Sequence, residues 1–199
     1  MPFVFKRLVL LMSISAAFAA DKDAQAFRPG PATSYEHRQT QAGLTIAAEP
    51  YNTPELEKTA FGKLDLYQYG VLPVLVVMQN DSGKAIRLEN LKVEYVGPTG
   101  NHVDATPAAE VRFLRGPAVP SSVPTPASRI PKIGHRKNPL DAWEVEGRAF
   151  VAKMLPAGNP ASGFFYFQTG LQRGSEIYLS GLTEAATGKE LFYFEIPLK

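Results

Sequence analysis

From residue 44 onward the chain reads as short apolar runs broken by turn residues, the texture of a β-protein. The pattern predicts strands at 44–48, 71–78, 85–88, 91–96, 148–155, 163–168, 176–182 and 190–196, with 102–104 extending a hairpin. Turn residues separate them: Asn80-Asp81-Ser82-Gly83, Gly97 to Asn101, Ala157 to Pro160 and Ala186-Thr187-Gly188. Seven to eight strands at this spacing predict an all-β fold of two sheets packed face to face. Alternation puts Phe192, Phe194 and Ile196 on one face of the last strand, and Tyr193 and Glu195 on the other. In 148–155 the inward set is Phe150, Ala152 and Met154. The run 71–78 does not alternate, so it belongs in mid-sheet with both faces covered. Pro73, which lacks an amide donor, then belongs near the start of that strand or beside a bulge.

Two short helices interrupt the strands. Thr53-Pro54 and Thr106-Pro107 each place a hydroxyl cap before a proline at the first helical position, predicting helices at 54–61 and 107–114. Trp143-Glu144-Val145-Glu146 reads as the entry to a strand, with Trp143 covering the sandwich end. One stretch, 115–142, breaks the rhythm: it holds six prolines and no period, and is expected to be an extended, exposed loop. From Val111 to Leu140 there is no acidic residue.

The first residues are of another kind. Lys6 and Arg7 precede an apolar run from Leu8 to Phe18, and Ala17-Phe18-Ala19 offers a small-residue cleavage site. Residues 1–19 therefore read as a cleaved signal peptide, 20–43 as a flexible leader, and 44–199 as the β-sandwich domain. The run is too short for an ordinary membrane span, so the processed chain is not expected to be an integral membrane protein. Without Lys6 and Arg7 the chain carries 19 basic and 19 acidic residues, a neutral balance that gives no sign of nucleic-acid binding. There is no cysteine, which excludes thiol catalysis, disulfides, thiolate metal sites and a lipid-bearing thiol. These features together predict a periplasmic or secreted bacterial protein.

The frame Leu72-Pro73-Val74-Leu75-Val76-Val77, then Asn80, Ser82 and Ile86-Arg87-Leu88, resembles the paired strands of bacterial exported immunoglobulin-like sandwich proteins. The closing stretches around Phe164-Phe165-Tyr166-Phe167, Ile177 to Leu182 and Leu191 to Pro197 are similar to the last strands of uncharacterised members of that group. The resemblance covers about half of the chain, roughly 70–97 and 148–197. It implies architecture and compartment, and no catalytic residue, cofactor or ligand.

Chemistry is sparse. No G-x-S-x-G elbow or phosphate loop is present, and Gly174-Ser175 has no acid–base partner nearby in sequence. Glu144 and Glu146 lie beside Trp143, but nothing in the sequence sets them across a cleft from another acid. His102 and Asp104, two apart on one strand face, could join His135 in an open three-ligand metal site; the blander reading is two solvent-facing polar residues. The aromatic residues of the last three strands divide between core packing and an exposed ladder. The basic residues Arg115, Arg129, Lys132, Arg136 and Lys137 form the candidate partner-binding site, suited to an envelope protein or an anionic envelope component. The sequence therefore favours a non-enzymatic binding module without cofactor. A metal-dependent protein or hydrolase using His102, Asp104 and His135, or a structural subunit of an envelope assembly, are the alternatives.

Overall fold

The structure is a computed structural model that describes residues 27–114 and 138–198. These residues form a mostly β fold with three antiparallel sheets and three short α-helices. The first sheet contains β1 (Arg38–Gln41), β2 (Leu44–Pro50), β3 (Leu72–Asn80) and β8 (Pro160–Phe167), in that spatial order. The second runs β11 (Phe194–Pro197), β9 (Glu176–Ser180), β5 (Lys92–Val96), β6 (His102–Asp104). Three two-residue strands make the third: β10 (Thr183–Glu184), β4 (Ile86–Arg87) and β7 (Met154–Leu155).

The centre of the first sheet is buried on both faces. On one side Ile46, Leu72, Val74, Val76 and Met78 meet Val93, Tyr95, Ile177, Leu179, Phe194 and Ile196 of the second sheet. On the other, Leu75, Val77, Phe164 and Tyr166 lie under helices α1 (Pro54–Phe61), α2 (Ala108–Val111) and α3 (Trp143–Gly147). β3 therefore has no wet face, which is why its sequence is continuously apolar rather than alternating. Pro73 is the second residue of that strand, as expected.

Local chemistry explains α1. Thr53 Oγ1 accepts from Leu56 N at 3.4 Å, and Pro54 opens the helix. The expectation for Thr106 is corrected: α2 has no side-chain cap, and Thr106 N instead donates to Tyr166 O at 2.7 Å, drawing that residue onto β8. Other differences have equally local causes. β1 lies within the stretch read as a flexible leader, because an all-polar Arg-Gln-Thr-Gln edge strand carries no apolar signal. Ahead of it, Phe27 packs edge-on to Tyr51 at 6.0 Å, and Ala32 is buried under the first sheet. Trp143 opens a helix instead of a strand and stays exposed, while Val145 supplies the buried contact. In 148–155 the inward phase is also corrected: Met154 is exposed and Leu155 buried, because regular pairing begins only at β7. Phe192 is exposed too, since β11 starts at Phe194. The eleven strands among the described residues exceed the expected seven to eight through β1, β6 and β10.

One buried acid has a thermodynamic consequence. Glu57 of α1 is only 1% exposed, and its Oε1 accepts from Tyr67 N at 2.9 Å. Burial, reinforced by the neighbouring Asp65 carboxyl, pushes its pKa from 4.5 to about 8, although the Tyr67 amide pulls the other way. The unfolded chain loses this proton near pH 4.5, whereas the fold keeps it up to about pH 8. Stability is therefore expected to fall as pH rises through that window. Melting temperatures across the window should show this decline, and Glu57→Gln should flatten it while preserving the Tyr67 contact. A Glu57→Gln protein with the same pH slope as the wild type would show that Glu57 is not its source.

Candidate binding cleft and the base of the basic segment

The outer edge of β8 is finished by two chain segments from either side of the basic stretch. Phe164 N donates to Arg148 O at 2.8 Å, and Phe150 N donates to Phe164 O at 3.1 Å. Residue 149 thereby lies parallel to the strand at Phe164, while Thr106 lies antiparallel at Tyr166. Gly163 makes the approach possible: a Cβ there would stand 2.4 Å from Phe150 Cα. Between these segments and β5 lies an open cleft of about 300 Å³, walled by Val93, Thr106, Pro107, Phe150 and Phe165. The Phe150 and Phe165 rings stack with centroids 5.3 Å apart. Lys92 and Asp104, 3.6 Å apart, are the charged residues of its lining. The volume is at the low end for ligand sites and suits one apolar group of a partner.

The base of the basic segment is clamped. Arg112 at the end of α2 pairs with Asp141 at 3.0 Å and with Glu146 of α3, and Asn138 Nδ2 donates to Arg112 O. Leu140, Val111 and Val145 bury the same junction against the first sheet. Arg112 therefore spends its charge holding the two ends together. The candidate contact residues Arg115, Arg129, Lys132, Arg136 and Lys137 lie outside the described residues, as does His135.

His102 and Asp104 do share the outer face of β6, as the two-residue spacing predicts. Their partners are those of an ion-pair network: Lys92 Nζ is 2.9 Å from Glu94 and 3.6 Å from Asp104, and His102 Nδ1 is 3.7 Å from Glu94. The Lys92 ammonium thus lies beside both carboxylates. Among the described residues no three His, Asp or Glu side chains are gathered to hold a metal ion. Ser175 is buried, and its hydroxyl donates to Gln172 O at 2.7 Å, so it is not presented as a nucleophile. Glu144 and Glu146 share α3, where Glu146 serves the Arg112 clamp.

The aromatic residues separate cleanly. Phe164 and Tyr166 face the helices, and Phe167 fills the space between sheets. Outside, Tyr178 stacks on Tyr193 with centroids 5.3 Å apart, on the outer face of the second sheet. Outward register pairs Tyr178 with Glu195 and Glu94 on its two neighbours. Alternation sets Tyr193 and Glu195 on this side but does not disclose Tyr178 as their companion, because cross-strand register is not written in either strand alone.

Among the described residues, no helix is long and apolar enough to cross a membrane. No family model matches the chain. No curated protein matches it either. Among solved structures, the X-ray structure of Northeast Structural Genomics Consortium target SoR45 is similar over 79% of this chain and 83% of that one. The identity is 10% and the TM-score 0.30, a likeness too slight to carry an argument about either fold detail or function.

Proposed function

We propose that the protein is an exported, non-enzymatic interaction module on an immunoglobulin-like sandwich, periplasmic or secreted in a bacterium. Its basic proline-rich segment contacts an envelope protein or an anionic envelope component. The fold reading draws support from strand order. β2-β3-β8 facing β6-β5-β9-β11 parallels strands A-B-E facing C′-C-F-G of an immunoglobulin domain. The compartment reading rests on the basic, apolar and small-residue sequence of positions 1–19.

The observation that carries the functional reading is the clamp at Arg112. The two ends of a stretch with five basic and no acidic residues are fixed by Asp141, Glu146 and Asn138, and the chain flanking them lines the cleft. A scaffold that invests three polar contacts and a buried junction in holding such a stretch is built to present it.

In-cell crosslinking and capture test this directly. Changing Arg129, Lys132, Arg136 and Lys137 to Ser should remove specific partners from the captured set while the melting temperature stays unchanged. The wild-type contacts should weaken in high salt, and those the variant keeps should respond less. Identical partner sets from both proteins would end the proposal.

A further inference from the structure

The two sheets differ in what covers them. The outer face of the first is roofed by α1, α2 and α3, whereas the outer face of the second carries no layer among the described residues. That bare face has a definite chemistry. The row Asp104, Glu94, Tyr178, Glu195 runs across β6, β5, β9 and β11 by cross-strand register. Glu176 lies diagonal to Glu195 and on the same side as Tyr178. Neither Glu176 nor Glu195 has a cationic partner among the described residues, while Glu94 and Asp104 share the single ammonium of Lys92. Stacked beside these acids are Tyr178 and Tyr193, the latter 50% exposed. Unneutralised carboxylates flanking aromatic faces make a cradle for guanidinium and ammonium groups.

The rest of the chain supplies the complementary charge. The described residues hold 17 acidic and 12 basic side chains, and residues 115–137 hold five basic and none acidic. We infer that the outer face of the second sheet docks the basic segment, residues 115–137, of a second copy of this chain. The spacing agrees. A chain docked in polyproline II form advances ~3.1 Å per residue, which would set Arg129 and Lys132 ~9 Å apart. Glu195 and Glu94, two strands apart, are separated by ~10 Å at the backbone. Arg129 would meet Glu195, Glu176 and the tyrosines, and Lys132 would meet Glu94 and Asp104.

The geometry favours contact between copies over contact within one. The segment is rooted at α2 and α3, on the helical side of the first sheet; Asp104 lies near that root, but Glu176, Tyr178 and Glu195 lie on β9 and β11, on the outer face of the second sheet. The resulting contact is head-to-tail, so its products are chains or rings rather than only dimers. This inference rests on the reading of 115–137 as the contact element and names its partner.

Sedimentation of the processed protein at low and high salt tests it. At low salt the mass should grow with concentration beyond the monomer, and high salt should reverse this. Glu176→Gln with Glu195→Gln, or Arg129→Ser with Lys132→Ser, should each weaken association about tenfold or more with an unchanged melting temperature. Charge reversal gives the sharper test. Glu176→Lys with Glu195→Lys, and Arg129→Glu with Lys132→Glu, should each fail to associate alone yet associate when mixed. A wild type that is monomeric at every salt concentration, or a mixture that does not associate, overturns the inference. If the protein is monomeric but the serine variant still loses crosslinked partners, only the second-copy assignment falls. If neither result appears, the contact role of the segment falls with it.

Discussion

Asn80→Ala is expected to destabilise the protein by about 3 kcal/mol, and Asn80→Asp by more, because Asn80 organises three chain segments from a fully buried position. Its Nδ2 donates to Lys84 O at 2.7 Å, Leu155 O at 3.0 Å and Pro156 O at 3.1 Å. Its Oδ1 accepts from Ser82 N at 3.2 Å and Ser82 Oγ at 2.6 Å. Alanine removes both ends and strands buried carbonyls. Aspartate is worse, since it turns a second oxygen, and at neutral pH a charge, toward carbonyls that need a donor. The aspartate variant should regain part of its stability in acid, when the carboxyl becomes a donor. Urea unfolding measures all three proteins. An alanine variant within about 1 kcal/mol of the wild type would show that the network is dispensable.

Gly163→Ala should cost about 2–3 kcal/mol, and Gly163→Val more, although neither substitution is polar or strained in sequence terms. An added Cβ would stand 2.4 Å from Phe150 Cα and 2.5 Å from Phe150 N, atoms of backbone that cannot turn aside. The strand must therefore release the segment 148–150, breaking the bonds from Phe164 N to Arg148 O and from Phe150 N to Phe164 O. Hydrogen exchange should show the damage where it occurs: faster exchange at Phe150 and Phe164, with β3 still protected. A variant with native exchange at these two amides would refute the close approach.

These two sites also show what a sequence can and cannot disclose. Asn80 is visible, since Asn-Asp-Ser-Gly after an apolar run marks a turn, and the continuous apolar run of β3 announces a strand buried on both faces. Phe194 and Ile196 point inward as alternation requires. Gly163 is silent, because a glycine in a strand does not say which backbone will lie against it. The Arg112 clamp joins residues 29 and 34 positions apart, and only the packing of α2 on α3 brings them together. Trp143 misleads because a large aromatic is usually a core residue, whereas here the shorter Val145 is the one on the buried side of the turn. The spacing of His102 and Asp104 does reveal that they share one face. It cannot reveal their electrostatics, since Lys92 enters from the adjacent strand.

β1 is illegible for the opposite reason: its function in the fold is carried by polar atoms. Gln39 Oε1 accepts from Glu195 N at 2.8 Å, and Gln41 Nε2 donates to Tyr193 O at 3.2 Å. Two side chains of the first strand thus occupy main-chain positions along the last, which a neighbouring strand would otherwise fill. This seam has a consequence for the order of assembly. Its two halves are separated by more than 150 residues, so it cannot close until the chain has been made through Tyr193 and Glu195. Until Tyr193 and Glu195 are in place, this flank of the two sheets stays unlatched, and β11 is the latch.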